Sequence, residues 1–146
     1  MCIRDRRMRA LDLAPTDSPI SPGSGPVVAV TGASGYVGSL AVAGFRAAGY
    51  RVRRLGRRSD GGPDHADFFL DRDTPEASLE GVDSLVHCAY DFTVTRRDEI
   101  WRVNVLGTER LFVAAAAAGV RRTIFVSSMS AYAGTHQLYG LSLIHI

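Results

Sequence analysis

The 146 residues carry 17 basic and 15 acidic side chains, a net charge of +2, and every basic residue is arginine. That length suits one domain, and scattered arginines at so small a net charge argue against a nucleic-acid groove. No apolar run reaches the roughly 20 residues a membrane span needs, so no membrane partner is expected.

The two ends stand apart from the rest. Residues 1–6 read MCIRDR and residues 141–146 read LSLIHI. ATG TGT ATA AGA GAC AG, followed by any base, encodes the first. Its reverse complement, CTG TCT CTT ATA CAC AT, encodes the second. The string also matches the end sequence of a transposase used to prepare sequencing libraries. Both hexapeptides therefore read as translated adapter, and the chain as a gene fragment whose parent continues past Gly140. Residues 7–26 hold Pro15, Pro19, Pro22 and Pro26 among Ser, Asp and Gly. Such a composition cannot bury enough apolar surface to offset its ordering entropy, and it reads as a flexible leader. Cys88 is then the one native cysteine, a buried reduced thiol that suits a cytoplasmic protein.

The domain proper, 27–140, opens on Val27 to Gly38, VVAVTGASGYVG. The apolar run has strand composition. Val37, Leu40, Ala41, Phe45 and Ala48 follow at helical spacing. Gly32 allows a tight turn between them, Gly35 leaves room for a phosphate, and Gly38 lets helix and strand pack closely. The helix start offers free N–H groups and partial positive charge to a diphosphate. A bare glycine-rich turn would be the bland alternative, but the strand before and helix after it favour dinucleotide binding. Gly32, Ser34, Gly35, Tyr36, Val37 and Gly38 are the candidate contacts.

Gly49 should end the first helix, and a second strand follows near 51–55. Its end holds Gly56, Arg57 and Arg58 where an NAD-binding fold would carry an acidic residue for the ribose 2′-hydroxyl. Guanidinium pairs with a 2′-phosphate, so NADP is favoured, with NAD still usable. Solvated surface charge is the alternative for Arg57 and Arg58. Phe68 to Asp71 reads as a short third strand, followed by a brief helix from Pro75 to Leu79 capped by Thr74. Asp71 at the strand end could accept from the adenine amine, cap that helix, or face solvent.

Leu85 to Ala89 is the fourth strand, a continuous apolar run. It places Ala89 at the cofactor edge and His87 inside as a structural residue. From Arg97 to Ala118 runs the longest helix signal, closed by Gly119. Asn104 interrupts its apolar face, and there it could bind main chain or a water at the cofactor end. Thr123 to Val126 is the fifth strand, ending in Ser127 and Ser128. Alternating strands and helices select a doubly wound parallel α/β sheet of Rossmann type, here cut after the fifth strand and the start of the next helix.

TGASGYVG at 31–38, VHCAY at 86–90, NVLGT at 104–108, VSSMSAY at 126–132 and YG at 139–140 together resemble the extended short-chain dehydrogenase/reductases. Within these they look like the NAD(P)-dependent epimerase/dehydratase group. The resemblance implies a Ser–Tyr–Lys mechanism acting on a hydroxyl or carbonyl of a small-molecule substrate, a nucleotide sugar among the options. The full-length protein could be a homodimer. Ser128 matches the serine when Tyr132 is aligned with the tyrosine of the family's VYG segment. An ungapped alignment on Gly134 would place Met129 there. Tyr139 matches the catalytic tyrosine, followed by Gly140 and Ser142. The lysine expected four residues on is replaced by Leu143, so this chain should be nearly inactive although its parent is an enzyme. A non-catalytic NADP-sensing protein of the same fold is the competing reading, and a mononucleotide or flavin binder is weaker because the glycine spacing suits a dinucleotide.

Overall fold

The computed structural model describes residues 25–57, 62–131 and 138–145. Five strands, β1 (Val27–Thr31), β2 (Arg51–Gly56), β3 (His65–Asp67), β4 (Ser84–His87) and β5 (Arg122–Phe125), make one sheet. Their order is β3-β2-β1-β4-β5, and every pairing is parallel. The winding reverses direction between β1 and β4, which opens a crevice at the carboxyl edge there.

Strand periodicity divides the core between the two faces. Val27, Ala29, Leu55 and Leu85 face one way and pack with Leu111 and Ala115 of helix α3 (Leu106–Ala117). Val28, Val30, Val52 and Val86 face the other way, towards Val42 and Phe45 of helix α1 (Tyr36–Ala47). With neighbours on both sides and helices over both faces, all five residues of β1 are buried. The doubly wound sheet expected from the sequence is the one observed.

Several local expectations need correction. The third strand is His65–Asp67 rather than Phe68 to Asp71. Its ladder runs out where β2 ends, at Gly56 paired with Asp67. Phe68 and Leu70 then turn inward as core residues, because burying those side chains is favoured over extending an unpaired strand. The brief helix is a single 3-10 turn, Glu76–Ser78, with Pro75 at the N-cap and no capping bond from Thr74. On α1 Gly38 and Val42 are buried and Ala41 and Phe45 half-buried beside them, while Val37 and Leu40 face outward. Gly49 ends α1 as expected, at φ +85°. Its N–H bonds Arg46, that of Tyr50 bonds Phe45, and the Phe45 and Tyr50 rings meet at 5.5 Å, a Schellman stop with its apolar contact.

The long helix from Arg97 onward is one run in three parts. Helix α2 (Arg97–Ile100) passes through a π turn (Trp101–Val105) into α3. Helix α4 (Leu138–His145) continues through residues 141–145, with Ser142 and Leu143 buried. Residues 1–24 and Arg58 lie outside the described residues. No helix among the described residues is long and apolar enough to cross a membrane.

Candidate dinucleotide site

A cavity of about 670 Å³ opens at the carboxyl edge of β1, β2 and β4. One wall is the turn after β1, with Gly32, Ser34, Gly35, Tyr36, Val37 and Gly38 all lining it. Three glycines here converge on one carbonyl. Gly32 has φ +65°, and a Cβ on it would stand 2.9 Å from the Ala89 nitrogen. Gly35 donates to the Gly32 oxygen at 2.9 Å. A Cβ on Gly35 would come within 3.2 Å of that oxygen, and one on Gly38 within 2.1 Å. Gly38 thus permits contact between helix and turn rather than between helix and strand. Past this pivot, α1 begins without a side-chain cap and without an acidic residue in its first turn. Its opening N–H groups have no intrahelical acceptor, so they are placed to receive an anion.

The other expected contacts distribute unevenly. Arg57 at the end of β2, Asp71 after β3 and Ala89 after β4 line the same cavity. Asn104 does not. It is 1% exposed, and its amide closes on the main chain of Asp91, accepting from the Asp91 N–H at 2.7 Å and donating to the Asp91 carbonyl at 3.1 Å. Its role is therefore to hold a cavity loop, the main-chain option of the two. Ser128 lies beyond β5 and accepts from the Ser130 N–H at 3.2 Å. Neither Ser128 nor Tyr139 is part of the cavity wall, though Tyr139 packs against Tyr90 and Phe92, which are.

His87 explains why the loops around this edge keep their shape. The Thr108 hydroxyl donates to the Asn104 carbonyl at 2.7 Å. It must therefore accept from His87, whose Nε2 is 2.9 Å away, and the bond network assigns the proton to that nitrogen. Nδ1 then accepts from the Thr31 hydroxyl at 2.6 Å. Thr31 in turn accepts from the N–H groups of Cys88 and Ala89, at 3.2 Å each. The imidazole is stacked on Phe125 and edge-on to Phe68 and Phe112. Burial lowers its pKa from 6.5 to about 4. The neutral ring so links β1, β4 and α3 beneath the cavity.

Several site residues went unrecognised in the sequence. Tyr90, Asp91 and Phe92 line the cavity after β4, and their position just past a central strand was the available signal. Bonds from the Thr93 hydroxyl and N–H, with the nearby Arg57 charge, hold the Asp91 carboxyl below the usual carboxylate range. Gly107 is a second omission. A Cβ there would meet the Leu70 oxygen at 2.2 Å, and Arg110 donates to the same oxygen at 2.8 Å. Asn104, Gly107, Thr108 and Leu111 share one helix face, and that spacing could have revealed the contact.

Residues 28–141 match the NAD dependent epimerase/dehydratase family. The chain belongs to this family. It is 37% identical over 112 residues to sterol demethylase protein B of Methylococcus capsulatus, spanning 70% of this chain and 34% of that protein. To a Mycobacterium tuberculosis protein named 3 beta-hydroxysteroid dehydrogenase/Delta 5-->4-isomerase it is 32% identical over 127 residues, spanning 77% and 34%. The structure of MoeE5 in complex with UDP-glucose and NAD superposes with a TM-score of 0.70 at 30% identity, over 83% of this chain and 46% of that one. The chain thus spans about a third of the length of these curated relatives. Family membership agrees with the open cavity and the capless start of α1, which fit a dinucleotide.

Proposed function

We propose that this chain is the cofactor-binding part of an NADP-linked oxidoreductase or epimerase acting on a hydroxyl or carbonyl carbon. The observation that carries this reading is the single cavity wall that joins the Gly32 turn to Arg57. The N–H groups at the start of α1 would hold the diphosphate. Arg57 would pair with the 2′-phosphate, with Arg58 assisting, and Asp71 would accept from the adenine amine. NADP when bound supplies the hydride acceptor, and its reduced form the donor. The chain's own residues must then handle the proton on the substrate oxygen. Tyr139 would do that, and Ser128 would hold the oxygen beside it. A tyrosine hydroxyl does this work well at neutral pH only when a nearby cation stabilises its phenolate. Leu143 stands one helical turn from Tyr139 on α4, where the family places lysine, so turnover by this chain itself should be slow.

A sugar nucleotide is one substrate reading, supported by the UDP-glucose held by MoeE5. A sterol or steroid is another, after the names of the two curated relatives. The walls of the site must choose between them. The cofactor assignment is tested by fluorescence titration of NADPH and NADH against the wild type and Arg57→Ala. One charge-assisted bond to the 2′-phosphate contributes about 1.5–3 kcal/mol, so even an exposed arginine should give NADPH a preference of roughly tenfold. The variant should lose most of it, and less so in high salt. Equal affinities in the wild type would refute NADP selection, and binding of neither cofactor would refute the reading as a whole.

A further inference from the structure

Asp91 stands on the cavity wall after β4, and both its main chain and its side chain are fixed. Buried Asn104 closes on the Asp91 N–H and carbonyl at 2.7 and 3.1 Å. The Thr93 N–H and hydroxyl both donate to Oδ1, at 2.8 and 2.6 Å. The carboxylate is thus held in place before any ligand arrives, as a binding group should be. Among the described residues Oδ2 receives no donor, so its lone pairs are open to one.

Arg57, just past the end of β2, borders the same cavity. The strand β1 lies between β2 and β4, yet the Arg57 charge still acts on the Asp91 carboxyl. No direct ion pair closes between the two among the described residues. A guanidinium and a carboxylate therefore border one space without using each other up.

Such a pair matches the two forms of an adenosine ribose. A 2′-phosphate is an anion for guanidinium. A 2′-hydroxyl is a donor, and dinucleotide folds commonly meet it with a carboxylate at the end of the second strand. Here β2 ends in Gly56, which has no side chain, so the acceptor must come from another element. Asp71, the other carboxylate on the wall, already lies 3.9 Å from Arg72.

We infer that Asp91 supplies the ribose-hydroxyl acceptor that β2 lacks, so that one cavity takes NADP through Arg57 and NAD through Asp91. The inference rests on the dinucleotide reading above. It adds a repulsive element to cofactor choice, because a carboxylate beside the 2′-phosphate limits the preference that Arg57 creates.

The test is Asp91→Asn. The new amide oxygen can still accept from Thr93, while the atom replacing Oδ2 becomes an uncharged donor. NADPH and NADH are titrated by nicotinamide fluorescence against the wild type and the variant. The ratio of the two dissociation constants, taken on one preparation, does not depend on how much of it is folded. NADH should bind about tenfold more weakly to the variant, and NADPH as tightly as before or more so. The preference for NADPH should then widen from roughly tenfold to about a hundredfold. A ratio that stays the same or narrows, whether both affinities fall together or neither moves, overturns the role of Asp91 and leaves the dinucleotide reading intact. A wild type that binds neither cofactor overturns that reading and this proposal with it.

Discussion

Protonating His87 should loosen the whole carboxyl edge, and the cost follows from its surroundings. The unfolded chain holds this proton with a pKa near 6.5, the folded chain with one of about 4. Above pH 6.5 the ring is neutral in both states, so it contributes no pH dependence. As pH falls from 6.5 towards 4 the unfolded state gains a proton that the native state refuses, and stability drops. Below pH 4 both states carry the proton and the loss levels off. At about 1.4 kcal/mol per pKa unit the total is about 3 kcal/mol, a large share of a typical domain's 5–15 kcal/mol. The assay is urea unfolding followed by circular dichroism between pH 7.5 and 4, on the wild type and His87→Gln. Carboxylates titrating over the same range cancel in the difference between the two proteins. That difference should shrink by about 3 kcal/mol in favour of the variant as pH falls. A difference that stays constant with pH, or an NMR titration of the His87 ring with a midpoint near 6.5, would refute the buried neutral ring.

Two further substitutions probe the geometry around the cavity. Gly38→Ala puts a Cβ 2.1 Å from the Gly32 carbonyl, so the turn must move and NADPH affinity should fall by at least about tenfold. Gly44→Ala on the same helix meets nothing within 4 Å and should instead stabilise by about 0.5–1 kcal/mol in a urea melt. Asn104→Leu leaves the Asp91 N–H and carbonyl unpaired, which should cost about 2 kcal/mol or more and weaken NADPH binding, both readable in one ligand-dependent melt.

The sheet was legible because its signals are local and repeat. Apolar runs at β1 and β4, a glycine turn into a helix, and glycine after each long helix all survive tertiary packing. The turn residues of the site were legible for the same reason. Boundaries failed where packing overrode local preference. Phe68 and Leu70 look like strand residues, yet β2 stops at Gly56, whose carbonyl takes a last bond from the Phe68 N–H, and beyond it the two side chains serve the core instead. Asn104 looks like a ligand contact because a lone amide on an apolar face needs partners. Those partners, the N–H and carbonyl of Asp91, come from a loop whose path no sequence pattern specifies. The network of His87 with Thr31 and Thr108 likewise joins residues 56 and 21 positions apart. Single-residue chemistry reveals that each is polar, but only the sheet order brings them together.

A dinucleotide bound as proposed must touch this chain at the turn after β1 and the ends of β2 and β4. Two-dimensional NMR of the isotopically labelled protein, with NADP added stepwise, reads that from the backbone amides. The predicted result is saturable shifts concentrated at residues 32–38, at Gly56 and Arg57, and at 89–91, with the largest at the opening N–H groups of α1. Shifts centred elsewhere on the sheet, or none at NADP concentrations in the millimolar range while the spectrum remains that of a folded protein, would contradict it.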